Sequence, residues 1–155
     1  VESEASLLFG DGGSGKSLIA LALGLTVATG KSILGIAPKY TGPVLYLDWE
    51  WDAEEHAQRL RALCQGAGID VPRGSIFYRR QAPSLRESAS AIREVISNEG
   101  IVLCITDSLG FARGGEPESA ESTLKTFIAS RTFAFRASIR RLCTTWPLIV
   151  LGDRP

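Results

Sequence analysis

The sequence predicts an α/β domain in which helices cover both faces of a mostly parallel sheet. Three observations predict it. Short β-rich apolar runs alternate with longer runs of helical periodicity along most of the 155 residues. The first two runs are joined by Gly10-Asp11-Gly12-Gly13-Ser14-Gly15-Lys16-Ser17, which fits the phosphate-binding pattern G-x-x-x-x-G-K-[ST] at every fixed position. A later apolar run ends in Asp107, at the C-terminal strand edge where such sheets bind ligands.

Each element has its own reason. Leu7, Leu8 and Phe9 form an apolar run entering the glycine-rich loop, and residues 18–28 form the helix leaving it, stopped by Gly30. Gly35, Pro38, Gly42 and Pro43 mark residues 31–43 as a loop. VLYLD, residues 44–48, is a strand. A helix is expected over 52–65, where Ala53, Ala57, Leu60, Leu63 and Cys64 recur at helical spacing before Gly66 and Gly68. SIFYR, residues 75–79, reads as a strand. Ser84 is expected to cap a helix running to about Asn98, with Leu85, Ala89, Ile92 and Ile96 on one face. Residues 101–106 read as a buried strand, and residues 119–128 as a helix after the Gly114-Gly115 turn.

Composition narrows the class. The chain is long enough for one domain with a proper core. Seventeen basic residues balance seventeen acidic ones, so bulk charge gives no argument for nucleic acid. No apolar run approaches membrane-spanning length, and no charged leader precedes the first strand. Cys64, Cys104 and Cys143 form no C-x-x-C pair and read as buried thiols in a reducing, cytoplasmic setting. With no methionine, and with its first strand almost at residue 1, the chain reads as a piece of a longer protein.

The loop chemistry points to a nucleoside triphosphate. Glycines let the chain curl so that backbone N–H groups meet an anion, and the following helix directs its N-terminal partial charge at the same place. Residues 10–18, from Gly10 through Ser14 to Leu18, are the expected nucleotide contacts. Lys16 reaches the β- and γ-phosphates, while Ser17 and Asp107 hold Mg²⁺. In Asp48-Trp49-Glu50-Trp51, strand alternation puts the two carboxylates on one face and the tryptophans on the other if the extended geometry continues. Glu50 is the candidate for orienting and deprotonating the attacking water, with Asp48 in support. Arg79 and Arg80 leave the third strand, either beside the triphosphate or as solvated residues. His56 is expected at the surface of its helix, without metal partners.

GDGGSGKS, VLYLDWE and IVLCITDSLGFARGGEPESAE together resemble the RecA-like P-loop ATPases, most closely the RepA-type hexameric helicase domains of the AAA grouping. The resemblance covers residues 7–127. It implies ATP hydrolysis with Mg²⁺, coupled to movement on single-stranded DNA, in a homo-oligomeric ring with sites between subunits. It matches residues 10–17 to the nucleotide loop, Glu50 to the catalytic glutamate and Asp107 to the metal aspartate. Residues 111–118 fall where relatives carry a mobile channel loop. The expected division is a partial ATPase domain over 1–128 and an atypical tail over 129–155, incomplete at the C-terminus. In that tail only residues 147–151 read as a strand, and its origin is expected in a truncated gene or a shifted reading frame. Two rival readings are a small-molecule kinase built on the same loop and an inactive fragment that at most binds nucleotide.

Overall fold

The computed structural model describes residues 5–70, 73–108 and 148–152. Within them the order is β1 (Ala5–Phe9), α1 (Lys16–Thr29), β2 (Val44–Asp48), α2 (Ala53–Ala67), β3 (Ile76–Arg80), α3 (Ala89–Glu99), β4 (Leu103–Asp107) and β5 (Leu148–Gly152). Every strand pairing is parallel, in the spatial order β1-β5-β4-β2-β3. The run expected at 147–151 is thus an interior strand. The helix expected at 119–128, the segment 111–118 and Cys143 lie outside the described residues.

Two boundaries differ from expectation, each for a hydrogen-bonding reason. Ser84 does not cap α3. It exchanges bonds with Glu87, whose Oε2 accepts from the Ser84 N–H at 2.8 Å and from its Oγ at 2.7 Å, which closes a separate turn. The helix then begins after Ser88. β4 starts at Leu103 because the two preceding N–H groups are already engaged. Ile101 donates to the Ile96 carbonyl at 3.2 Å, and Val102 donates to that of Pro43 at 2.7 Å.

Strand alternation sorts the core into two faces. Leu45, Leu47 and Trp49 pack with Leu85, Ala89, Ile92 and Ile96 on the α3 side. Val44 and Tyr46 pack with Ala20, Leu21, Leu103 and Ile105 on the side of α1, where Leu60 and Leu63 of α2 join them. By the same parity Asp48 and Asp107 belong to the α1/α2 side, the side that carries the glycine-rich loop. β2 and β4 are buried along their whole length, whereas β3 ends in exposed Arg79 and Arg80. Charge on a strand at the sheet margin discourages edge-to-edge pairing.

α1 buries Ala20, Leu21, Ala22, Gly24, Leu25 and Thr26, and the sheet approaches it closely at one of them. At Gly24 an added Cβ would stand 3.1 Å from Ile105 Cδ1 and 3.5 Å from Val44 Cγ1. That proximity seats the helix on β2 and β4 and fixes where its N-terminus emerges. Gly24→Leu is expected to lower stability by about 1–3 kcal/mol through overpacking. Urea denaturation followed by circular dichroism checks this, and an unchanged midpoint would contradict the close approach.

Candidate active site

The strand ends form one edge. Asp48 is paired in register with Asp107 on one side and with Arg80 on the other. β5 lies between β1 and β4, so the loop leaving β1 and the Asp107 carboxylate are two strand spacings apart, about 10 Å. That gap opens into a cavity of about 400 Å³, lined by residues 12–18, Glu50, Trp51, Arg59, Asp107 and Ser108.

The loop curls as its glycines allow, though only two of them need a left-handed backbone. Gly13 and Gly15 have φ of 73° and 84°, whereas Gly10 and Gly12 do not adopt positive φ. Gly15 is the N-cap of α1, so the first helical N–H groups rise directly from the cavity floor. Lys16 Nζ donates to the carbonyls of Gly10 and Asp11, both at 2.8 Å, and this draws the ammonium across the loop. Gly10 and Asp11 are therefore not among the lining residues; they meet the site through Lys16. Ser14, Ser17 and Leu18 do line it.

Asp107 is buried, 2 % exposed, at the end of β4. Its Oδ2 accepts a hydrogen bond from Tyr46 Oη at 2.6 Å, the one bond its side chain makes among the described residues. Burial, then the neighbouring Asp107 carboxylate, push the Tyr46 hydroxyl far above the ordinary tyrosine range, which keeps it a donor. Oδ1 makes no hydrogen bond among the described residues, and Asp107 belongs to the cavity lining. The peptide joining Asp107 to Ser108 is cis.

The chain does not stay extended after Asp48, contrary to the alternation expected there. Asp48 Oδ1 accepts from the N–H of Glu50 at 2.8 Å and of Trp51 at 2.9 Å, an Asx-type turn. Burial holds the Asp48 carboxyl above its usual range even though these two bonds pull it down. The turn sends the tryptophans to different places. Trp49 is buried against the α3 side, its Nε1 donating to the Pro83 carbonyl at 2.9 Å. Trp51 stays at the cavity wall, where the Arg59 guanidinium lies 4.3 Å from its ring. Glu50 is exposed at the cavity. Tyr78 Oη and Arg80 Nη1 both donate to the Trp51 carbonyl, at 2.8 and 3.0 Å. The segment carrying Glu50 is therefore held from both ends.

One open alternative is decided and one expectation needs correction. Arg79 and Arg80 do not line the cavity, because β3 is one strand further from the loop than β2 and Arg80 is engaged with Trp51. The cavity's arginine is Arg59, on α2, paired with Glu55 at 2.7 Å and stacked on Trp51. Its one signal in the sequence is its helical spacing, nine residues after Glu50, which reads as ordinary surface charge. His56 is not at the surface. It is 6 % exposed, with its ring centroid 4.8 Å from that of Tyr46 and 4.3 Å from that of Tyr78. Its Nε2 is buried and has no hydrogen-bond partner among the described residues. No group of three potential metal-ligating side chains occurs among the described residues. Cys64 and Cys104 are buried free thiols, as expected of cysteines that form no C-x-x-C pair. No helix among the described residues is long and apolar enough to cross a membrane.

The sequence profile of the AAA domain family matches residues 1–140, nine-tenths of the chain. The chain belongs to this family of P-loop ATPases. That agrees with the fold, since an all-parallel sheet with the glycine-rich loop between β1 and α1 is its architecture. Nucleotide-binding ATPase chemistry with ATP and Mg²⁺ is the general activity of the family. A search among curated proteins finds no match.

His56 gives the site a pH-dependent support. Burial, with Arg59 nearby, pulls its pKa down from 6.5 to about 4. The unfolded chain takes up the proton more readily than the folded one does. The stability contributed by the neutral ring is therefore complete above about pH 6.5 and is lost as pH falls toward 4. Asp48, raised by burial, titrates in the opposite sense, and its effect is common to the parent and a His56 variant. The unfolding midpoint of the parent is expected to fall more steeply between pH 6.5 and 4.5 than that of His56→Phe. Parallel curves would mean that the ring carries no such linkage.

Proposed function

We propose that this domain binds ATP–Mg²⁺ in the cavity at the sheet edge and hydrolyses it, water being the acceptor. The observation that carries the reading is one cavity walled by the phosphate-loop residues, a buried strand-end aspartate and an exposed glutamate on a braced turn. Backbone N–H groups of the loop and the start of α1 donate to the phosphates. Lys16 exchanges its carbonyl partners for β- and γ-phosphate oxygens, which moves its charge to the place where negative charge develops.

The donor set suits Mg²⁺, which takes few protein ligands and keeps its waters and the substrate's phosphates. Ser17 Oγ and Asp107 would hold it, the carboxylate directly or through water. When bound, the ion supplies charge neutralisation across the β- and γ-phosphates. Glu50 accepts a proton from the attacking water and aligns it. Arg59, on the cavity wall beside Glu50, offers a guanidinium to the γ-phosphate side.

The finer reading is a RepA-type helicase or replication ATPase, working as a ring on single-stranded DNA. It rests on the resemblance of GDGGSGKS, VLYLDWE and the segment around Asp107. It is tested by measuring ATP binding and steady-state hydrolysis with and without single-stranded DNA. Stimulation by DNA supports the motor, whereas turnover indifferent to DNA leaves an ATPase of another role. Binding without turnover favours the inactive fragment.

Two substitutions examine the parts separately. Lys16→Ala is expected to abolish ATP affinity in an equilibrium binding assay, and unchanged binding would remove the loop from the site. Glu50→Gln is expected to keep ATP affinity while lowering turnover by roughly 10²–10⁴-fold. Turnover at the parent rate would clear Glu50 of the role.

A further inference from the structure

Behind the strand-end aspartate lies a stack of aromatic rings that the proposed chemistry does not use. Tyr46 is 2 % exposed and reaches Asp107 along the sheet face that α1 and α2 cover. β2 and β4 are paired in register from Val44↔Leu103 to Asp48↔Asp107, so Tyr46 stands opposite Ile105, two residues short of the carboxylate it meets. His56 comes down from α2 onto the Tyr46 ring, and its other neighbour is Tyr78 of β3. Tyr78 is itself anchored by its hydroxyl to the Trp51 carbonyl. The Tyr46 ring is thus bounded by packed neighbours, and its hydroxyl has one hydrogen-bond partner among the described residues.

We infer that Tyr46 is a positioning residue for the metal: it holds Oδ2 of Asp107 so that Oδ1 is presented to the cation in the cavity, with His56 wedging the tyrosine ring in place. The inference rests on the ATP–Mg²⁺ reading of the cavity. The physical argument is that of an outer-shell partner. A carboxylate free to rotate about its last bond must be ordered each time it meets an ion, whereas one already tied through one oxygen meets it in a single orientation. Removing the hydroxyl also leaves Oδ2 without the hydrogen bond that fixes the plane of the carboxylate.

The test uses the whole chain and Mn²⁺ as the probe, with free Mn²⁺ read by electron paramagnetic resonance at a saturating concentration of a non-hydrolysable ATP analogue. Affinity for the same analogue in EDTA is measured alongside. Tyr46→Phe is expected to weaken Mn²⁺ binding about tenfold while leaving the metal-free nucleotide affinity unchanged. A purely structural role for Tyr46 would lower thermal stability without separating these two affinities. Parent-like Mn²⁺ affinity in a folded Tyr46→Phe variant would overturn the inference. Should that variant not fold, His56→Ala takes its place, since it keeps the hydroxyl but frees the ring. A several-fold loss of Mn²⁺ affinity is then expected, and parent-like affinity would overturn the proposal equally. A parent chain that binds neither analogue nor Mn²⁺ would instead sink the ATP–Mg²⁺ reading on which this one stands.

Discussion

A carboxylate at the end of a fully buried strand must be hydrogen-bonded, and much of this site follows from how two such carboxylates meet that demand. Leaving a charged oxygen without a partner in a dry setting costs several kcal/mol on the usual scale. Asp107 satisfies the demand with one oxygen against Tyr46. Asp48, its neighbour in register, satisfies it by turning the chain beneath Glu50 and Trp51. The first solution leaves the second oxygen of Asp107, a residue of the cavity lining, without a hydrogen bond among the described residues. The second ends the extended geometry of β2 and swings Glu50 to the same cavity. Two side chains that would destabilise the sheet edge if left alone become the parts that shape it.

β2 does most of this arranging because its residues alternate between two tasks. Leu45, Leu47 and Trp49 carry the core against α3, while Val44, Tyr46 and Asp48 face the layer of α1 and α2. A register slip of one residue would exchange the sets, burying leucines where the tyrosine and aspartate are needed. Parallel pairing on both flanks, to β4 and to β3, holds the register. On the far side of β4, β5 separates the aspartate from the glycine-rich loop by one strand, which is what leaves width for a cavity between them.

The aromatic cluster shows how packing and electrostatics are shared. His56, Tyr46 and Tyr78 form a contiguous set under the turn that carries Glu50, and Arg59 lies one helical turn beyond His56 on α2. α2 therefore contributes to the site twice, through a neutral ring that packs beneath it and a cation on its wall. The opposed pKa directions of His56 and Asp48 have one origin, because burial penalises whichever form is charged.

The sequence by itself determined the parts whose chemistry is local. The loop from Gly10 to Ser17, the strand ending at Asp107 and the glutamate just past VLYLD are each readable from a few neighbouring residues, because phosphate cradles and strand ends are built by consecutive backbone. The tertiary structure decided what depends on residues far apart in the chain. His56 and Arg59 read as surface positions on a polar helix, and only the docking of α2 on β2 and β3 turns one inward and brings the other to the cavity. For Arg80 the sequence leaves two places open, beside the phosphates or in solvent; the strand order sets β3 too far from the loop and gives its guanidinium to the Trp51 carbonyl. The Tyr46–Asp107 bond joins residues 61 positions apart. Local pattern cannot encode such a bond, because it exists only once parallel pairing has laid β2 against β4.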